Sequence, residues 1–200
     1  MGQHPAVFLD RDGTLNVEKD YLYRIEDWEW LPGVKEALRG LKQAGFLLVV
    51  ITNQSGIGRG WYTEAAAREL HGFVRQELLA EGVAMDGFYL CPHAPDAPAG
   101  ACGCRKPSPA LLLRAAADFD IDLSRSWMVG DKVADVMAGR NAGCASILVR
   151  TGHGAREERA AEAGTLVADD LAAAARLILG SVPVCRDTSS GIVFCSGRVP

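Results

Sequence analysis

Phe8-Leu9-Asp10-Arg11-Asp12-Gly13-Thr14-Leu15-Asn16 contains the break from which the architecture follows. An apolar run beginning at Ala6 stops abruptly at two carboxylates one residue apart, and a glycine then permits a sharp turn. Such a break marks the carboxyl end of a buried parallel strand, where open α/β sheets bind ligands. Comparable runs recur at Phe46 to Ile51, Gly87 to Leu90, Trp127 to Val129 and Ser146 to Val149. Thr52 follows the second of the five runs and Gly130-Asp131 follows the fourth. Between them, Val34, Leu38 and Leu41 share one helical face. Thr63 caps a helix reaching about Glu81, with Glu64 at its positive end. Further helices are predicted over Leu111 to Phe119, Val133 to Asn141 and Leu171 to Leu179. Strands alternating with helices predict an α/β, Rossmann-like parallel sheet with helices on both faces. Residues 1–180 are expected to form one domain. Residues 181–200 lose helical periodicity and are expected as a tail or an extra hairpin.

The 200 residues are 48% hydrophobic and 23% charged, enough apolar mass for one sizeable core. A net charge of -4 argues against a broad nucleic-acid surface, so phosphate recognition should be local. The first ten residues lack the basic head and longer apolar run of a signal peptide, and no run is long enough to span a bilayer. A cytoplasmic protein without membrane or nucleic-acid partners, and a monomer, is the expectation. Six cysteines, clustered in a chain of this kind, suggest metal ligation in a reducing compartment rather than disulfides.

Asp10 and Asp12 repel each other unless a cation compensates, and oxygen ligands of this kind suit magnesium. A lone Asp-x-Asp is more often a capped turn. Here Asp131 closes another strand as a third carboxylate, and Asp135 lies one helical turn later. Separately, Cys91-Pro92-His93 and Cys102-Gly103-Cys104 bring three thiols and an imidazole into one loop, 91–104. Four such ligands suit a closed, structural zinc site. The alternative is a cluster of free thiols or a disulfide. A loop rich in Pro, Ala and Gly has little apolar mass of its own, and zinc would supply its order.

Taken together, Asp10 to Thr14, Thr52, Lys106 and Gly130-Asp131 with Asp135 resemble the four ordered motifs of the haloacid-dehalogenase-like phosphatases. That resemblance implies Asp10 as a nucleophile forming an aspartyl-phosphate and Asp12 as general acid and base, protonated in the first step. It implies magnesium on Asp10, the Asp12 main chain and Asp131, with Thr52, Arg105 and Lys106 stabilising the phosphoryl group and Asp135 in support. The additional stretches Thr52 to Gly60, Cys-Pro-His and Cys104-Arg105-Lys106-Pro107 resemble the heptose 1,7-bisphosphate 7-phosphatase branch, over roughly residues 5–180. Histidinol-phosphate phosphatase is the related alternative. The branch implies substrate contacts from Arg11, Glu18, Lys19, Asp20, Tyr21, Thr52, Asn53, Gln54, Ser55, Arg105, Lys106 and Lys132. The planar fork of Arg105 suits the phosphate that is not cleaved. Segments where this superfamily inserts a large cap are too short here, so loops should roof the site.

A rival of another class is a zinc-based interaction module with relic phosphatase motifs; the intact motif set and the acidic balance weigh against it. Gly56 to Gly60 lacks the following Lys-Ser or Lys-Thr of a nucleotide P-loop and is expected as a turn. The four Trp residues are expected in packing. His4, His71 and His153 are expected in surface or packing roles, and Cys144 as a small hydrophobe against the sheet. Cys185 and Cys195 receive no role.

Overall fold

The computed structural model describes residues 2–96, 102–181, 184–186 and 192–194. Six strands pair in parallel: β1 (Ala6–Leu9), β2 (Leu47–Asn53), β3 (Gly87–Cys91), β4 (Trp127–Gly130), β5 (Ala145–Val149) and β6 (Leu166–Ala168). Their order across the sheet is β3-β2-β1-β4-β5-β6, with Leu9 opposite both Val50 of β2 and Val129 of β4. The chain builds outward from β1 in one direction and then, from β4, in the other. Connections after β1 and β4 therefore diverge and leave a crevice between the two strand ends.

Among the described residues, seven α-helices flank this sheet: α1 (Val34–Gln43), α2 (Ser55–Gly58), α3 (Glu64–Ala80), α4 (Ala110–Phe119), α5 (Val133–Ala142), α6 (Gly154–Glu157) and α7 (Leu171–Ser181). Side-chain alternation assigns them to layers. Val7 and Leu9 of β1, with Leu48 and Val50 of β2, pack among Leu38 and Leu41 of α1, Val74 and Leu78 of α3, and Ile178 of α7. Ala6, Phe8, Val49 and Ile51 face the other way, toward Leu111, Leu112 and Ala115 of α4 and Ala138 of α5. Every one of these strand residues is fully buried, each large one contributing about 1.5–3 kcal/mol. Because both faces are covered, the strands carry unbroken apolar runs and polar residues gather at their ends.

The helix expected from Thr63 begins as the capping rule requires: Thr63 Oγ1 accepts from the Ala66 N–H at 3.1 Å. Strand β2 continues to Asn53, so Thr52 pairs with Leu90 inside the sheet rather than following it. The edge strand β6 and the one-turn helices α2 and α6 have no counterpart in the sequence pattern, being too short to show periodicity. From Asp12 to Leu31 the chain forms a flap, closed by the Val17 N–H to Glu29 O bond (2.9 Å) and the Leu31 N–H to Leu15 O bond (3.1 Å). No helix of the described residues is long and apolar enough to cross a membrane. After α7, β7 (Val184–Arg186) and β8 (Ile192–Phe194) pair antiparallel; Cys185 lies in β7 and Cys195 outside the described residues.

Candidate active site

Asp10, at the end of β1, and Asp131, at the end of β4, meet in the crevice. Oxygens of Asp10, Asp131 and Asp135 lie within 4.8 Å of one another. Gly13, at φ +80°, makes this approach feasible: a Cβ there would collide with the Asp131 carboxylate. Lys106 enters from the segment that follows Cys104, its Nζ 2.8 Å from Asp10 Oδ1, 2.6 Å from Asp135 Oδ1 and donating to Ile51 O at 2.6 Å. Burial alone would lower the Lys106 pKa, but Asp10 and Asp135 hold it above its ordinary value. Asp135 also accepts from the Lys132 N–H at 3.0 Å, capping α5.

Three buried carboxylates thus share this one tightly held ammonium, with Lys132 Nζ standing farther off, 3.9 Å from Asp131 Oδ1. Burial, with Asp10 beside it, pushes Asp131 up to about 8; burial pushes Asp135 up to about 6 against the pull of Lys106. Asp131 Oδ2 accepts from the His153 N–H at 2.8 Å, while its fully buried Oδ1 has no hydrogen-bond partner. An orphan oxygen in an oxygen-only cluster short of positive charge fits a hard divalent cation such as magnesium.

Asp12 departs from expectation. Arg11 is completely buried and clamps the Asp12 carboxylate, with NH2 at 2.9 and 2.7 Å from its two oxygens and Nε at 3.1 Å from Oδ1. Gln54 Nε2 and Asn16 Nδ2 add bonds of 2.9 and 3.1 Å. Burial would raise the Asp12 pKa, but Arg11 and these amides hold it below the usual range, so this geometry favours the ionised form. The protonated Asp12 that the first step demands is not the state held here. Arg11 itself donates to Leu22 O at 2.7 Å and to Gln54 Oε1 at 3.2 Å. His71 lies 3.5 Å away and is pushed down to about 3, mainly by burial and then by Arg11, leaving a neutral acceptor.

A cavity of about 220 Å³ opens onto Asp10 and Asp12. Glu18, Asp20 and Tyr21 of the flap form one wall; Thr52, Asn53, Gln54 and Ser55 form another. Arg105 and Lys106 arrive from the segment that follows Cys104, and Lys132 with Asp135 from the start of α5. Two expected substrate contacts are not at this cavity. The Arg11 side chain is spent on Asp12. Lys19 turns outward, bonding Asp27 O at 2.9 Å and pairing with Glu29 at 2.9 Å. Tyr62 and His153 line the cavity without having been singled out as site residues. Tyr62 donates to Gln54 Oε1 at 2.6 Å, and burial pushes its hydroxyl up to about 12. No motif surrounds either residue, and only their positions just beyond α2 and β5 hint at them.

Cys91 ends β3, and its Sγ lies 3.4 Å from Cys102 Sγ, which lies 3.5 Å from Cys104 Sγ. His93 Nδ1 is 3.6 Å from the thiols of Cys91 and Cys104. These four residues form one potential metal-binding group, and their cysteines are free. Edges of this length fit a tetrahedron whose ligands stand about 2.0–2.3 Å from a central zinc. The next residues are fastened in turn: Arg105 NH1 donates to His93 O at 3.2 Å, and the Lys106 N–H to Asn53 Oδ1 at 3.1 Å. Cys144 is buried, its thiol pushed up to about 12 by burial alone, as an inert packing residue would be.

Residues 103–174 match a family model described as HAD-hydrolase-like. The D-glycero-beta-D-manno-heptose-1,7-bisphosphate 7-phosphatase of Yersinia pestis is 46% identical over 153 residues, covering 74% of this chain and 81% of that one. The protein of the same name from Photorhabdus laumondii is 42% identical over 181 residues, 88% and 96% of the two chains. Among solved structures, the D,D-heptose 1,7-bisphosphate phosphatase of B. bronchiseptica, complexed with magnesium and phosphate, superposes with a TM-score of 0.81. It is 37% identical, over 88% of this chain and 98% of that one. The enzyme from Burkholderia thailandensis has a TM-score of 0.66 at 34% identity, with the same coverage.

Proposed function

The chain belongs to the haloacid-dehalogenase-like hydrolases, among the heptose bisphosphate phosphatases, and on that premise we propose how its own residues perform the reaction. It is a phosphatase that removes the 7-phosphate of D-glycero-D-manno-heptose 1,7-bisphosphate, a step toward nucleotide-activated heptose. Asp10 attacks phosphorus and forms an aspartyl-phosphate, splitting hydrolysis into two easier displacements. Lys106 stabilises charge on the transferring phosphoryl group. Thr52 Oγ1 accepts from Gln54 Nε2 at 2.8 Å, which leaves its own proton to donate to a phosphoryl oxygen. Asp12 protonates the departing alkoxide and then activates water. The proton it needs is favoured when a phosphate dianion arrives beside it, since a like charge raises a carboxylate pKa and opposes the Arg11 clamp. The side chains of Asp10 and Asp131 and the main-chain carbonyl of Asp12 hold magnesium, whose charge screens the nucleophile from the dianion when bound. Asp135 keeps Lys106 in place.

Arg105 and Lys132 hold the phosphate that stays on the sugar, and the loop 91–104 carries one structural zinc. Residues 1–180 act as one catalytic unit, monomeric and cytoplasmic, with 181–200 outside the chemistry. The beta anomer is the preferred substrate, by likeness to the relatives named for it. The buried cluster of Asp10, Asp131, Asp135 and Lys106 at the cavity floor carries this mechanism. An interaction module with relic motifs would have no need of it. The test is turnover of heptose bisphosphate and histidinol phosphate side by side, with and without magnesium, in wild type and Asp10→Asn. Heptose bisphosphate should give the higher kcat/KM, magnesium should be required, and Asp10→Asn should show no turnover. Faster turnover of histidinol phosphate would overturn the substrate, and magnesium-independent activity the mechanism.

A further inference from the structure

Glu18 presents an unusual problem in this cavity, because a carboxylate in the wall of a site for a doubly phosphorylated sugar repels its own ligand. Its side chain is only 16% exposed and is held from three directions. Oε1 accepts from the Asp20 N–H at 3.1 Å, fixing the flap. Oε2 lies 3.4 Å from Lys132 Nζ and 3.4 Å from His153 Nε2. The other ring nitrogen of His153 settles which tautomer is present. Arg156 NH2 stands 3.3 Å from His153 Nδ1, and a guanidinium only donates, so Nδ1 accepts and the ring proton sits on Nε2, the nitrogen that stands 3.4 Å from Glu18 Oε2. An ionised carboxylate has roughly four acceptor sites. Asp20 and Lys132 occupy two, the His153 imidazole stands beside them at 3.4 Å, and acceptor capacity is left on a residue that lines the cavity.

We propose that His153 is a specificity-determining positioning residue: its Nε2–H, together with Lys132, locks Glu18 as a fixed, charge-compensated acceptor for a hydroxyl of the sugar chain. The cavity thereby selects polyhydroxylated phosphate esters over plain ones. The proposal rests on the heptose bisphosphate function and deepens it. Two features set His153 apart from a packing residue: it follows the carboxyl end of β5, and it lines the cavity. A ring nitrogen of His153 and carboxylate oxygens of Glu18 and Asp131 lie within 4.8 Å of one another. Its bond to Asp131 comes from the backbone N–H at 2.8 Å, which any residue except proline would supply. A change of side chain therefore spares the support of Asp131 while releasing Glu18.

The experiment compares kcat/KM for heptose bisphosphate and for p-nitrophenyl phosphate, an ester with no hydroxyls to recognise, in wild type, His153→Ala, His153→Gln and Glu18→Gln. The ratio of the two values should fall roughly tenfold in His153→Ala, as expected for one lost hydrogen-bonded contact, and chiefly through a higher KM for the heptose. His153→Gln, whose amide nitrogen can take the place of Nε2, should restore most of the ratio. Glu18→Gln should lower it. An unchanged ratio in His153→Ala, or a glutamine variant no better than alanine, overturns the inference while a heptose-selective wild type leaves the function standing. A wild type that does not prefer the heptose overturns both.

Discussion

Asp131 is the residue on which charge is most finely balanced. Its folded pKa, raised to about 8, means that the magnesium-free protein binds a proton there which the unfolded chain, at an ordinary 3.8, releases earlier. Stability from such a group is complete at low pH and lost as pH rises through the folded value. His71, depressed to about 3, works in the opposite sense, but only below its ordinary 6.5, and Asp135 finishes titrating near 6. Between about pH 6.5 and 8, Asp131 should therefore dominate among these groups. With zinc holding Cys102 as a thiolate, so that this thiol, otherwise lowered to about 6 and opposite in sign, drops out of the balance, the melting temperature of protein freed of magnesium alone is expected to fall across that window, more gently with magnesium present and more gently in Asp131→Asn. A rise across the window would refute the balance described. Asp10, Thr52, Lys106 and Asp131 were legible in the sequence because strand ends and motif order announce them. Arg11 was not, since an arginine between two aspartates looks like a phosphate ligand until the fold turns it inward against Asp12. His153 was missed because its importance lies in Glu18, 135 positions away in sequence, and no local pattern records that meeting.

Among the elements, the described residues on either side of the turn after β3, Cys91, His93, Cys102 and Cys104, are where the proposed zinc would act. Cys102 and Cys104 are only partly buried, yet the residues that follow them reach the floor of the site. Wild-type protein should contain about one equivalent of zinc, bound by the four-ligand set. Cys102→Ser should lose it, melt at lower temperature and drop in kcat/KM by roughly a hundredfold as Lys106 loses its anchor. Elemental analysis with thermal melts checks this, and zinc retained by the variant would exclude the ligand set. Cysteine and histidine spacing makes the gathering of these four residues readable from the sequence. The three-residue edge strand β6 escaped notice for the opposite reason, because Leu166–Ala168 is too short to show alternation and its place is set by pairing with β5.

At the scale of the whole molecule, alternating strands and helices foretold a parallel sheet but not its order. The order is a matter of which strand ends up beside β1, and the apolar runs are too alike to tell. The answer, β4, joins distant parts of the chain: the Ala6 N–H donates to Ser126 Oγ at 2.9 Å across 120 positions of sequence. Contacts so remote are slow to form, because the intervening chain must give up its freedom first. In refolding from urea, helical signal should recover early and phosphatase activity last; activity returning with the first helical phase would contradict this. A chain still leaving the ribosome carries its nucleophile long before the neighbouring strand exists. Half-made copies are thus chemically silent, and the cell's phosphorylated sugars meet the reaction only when synthesis has passed Asp131.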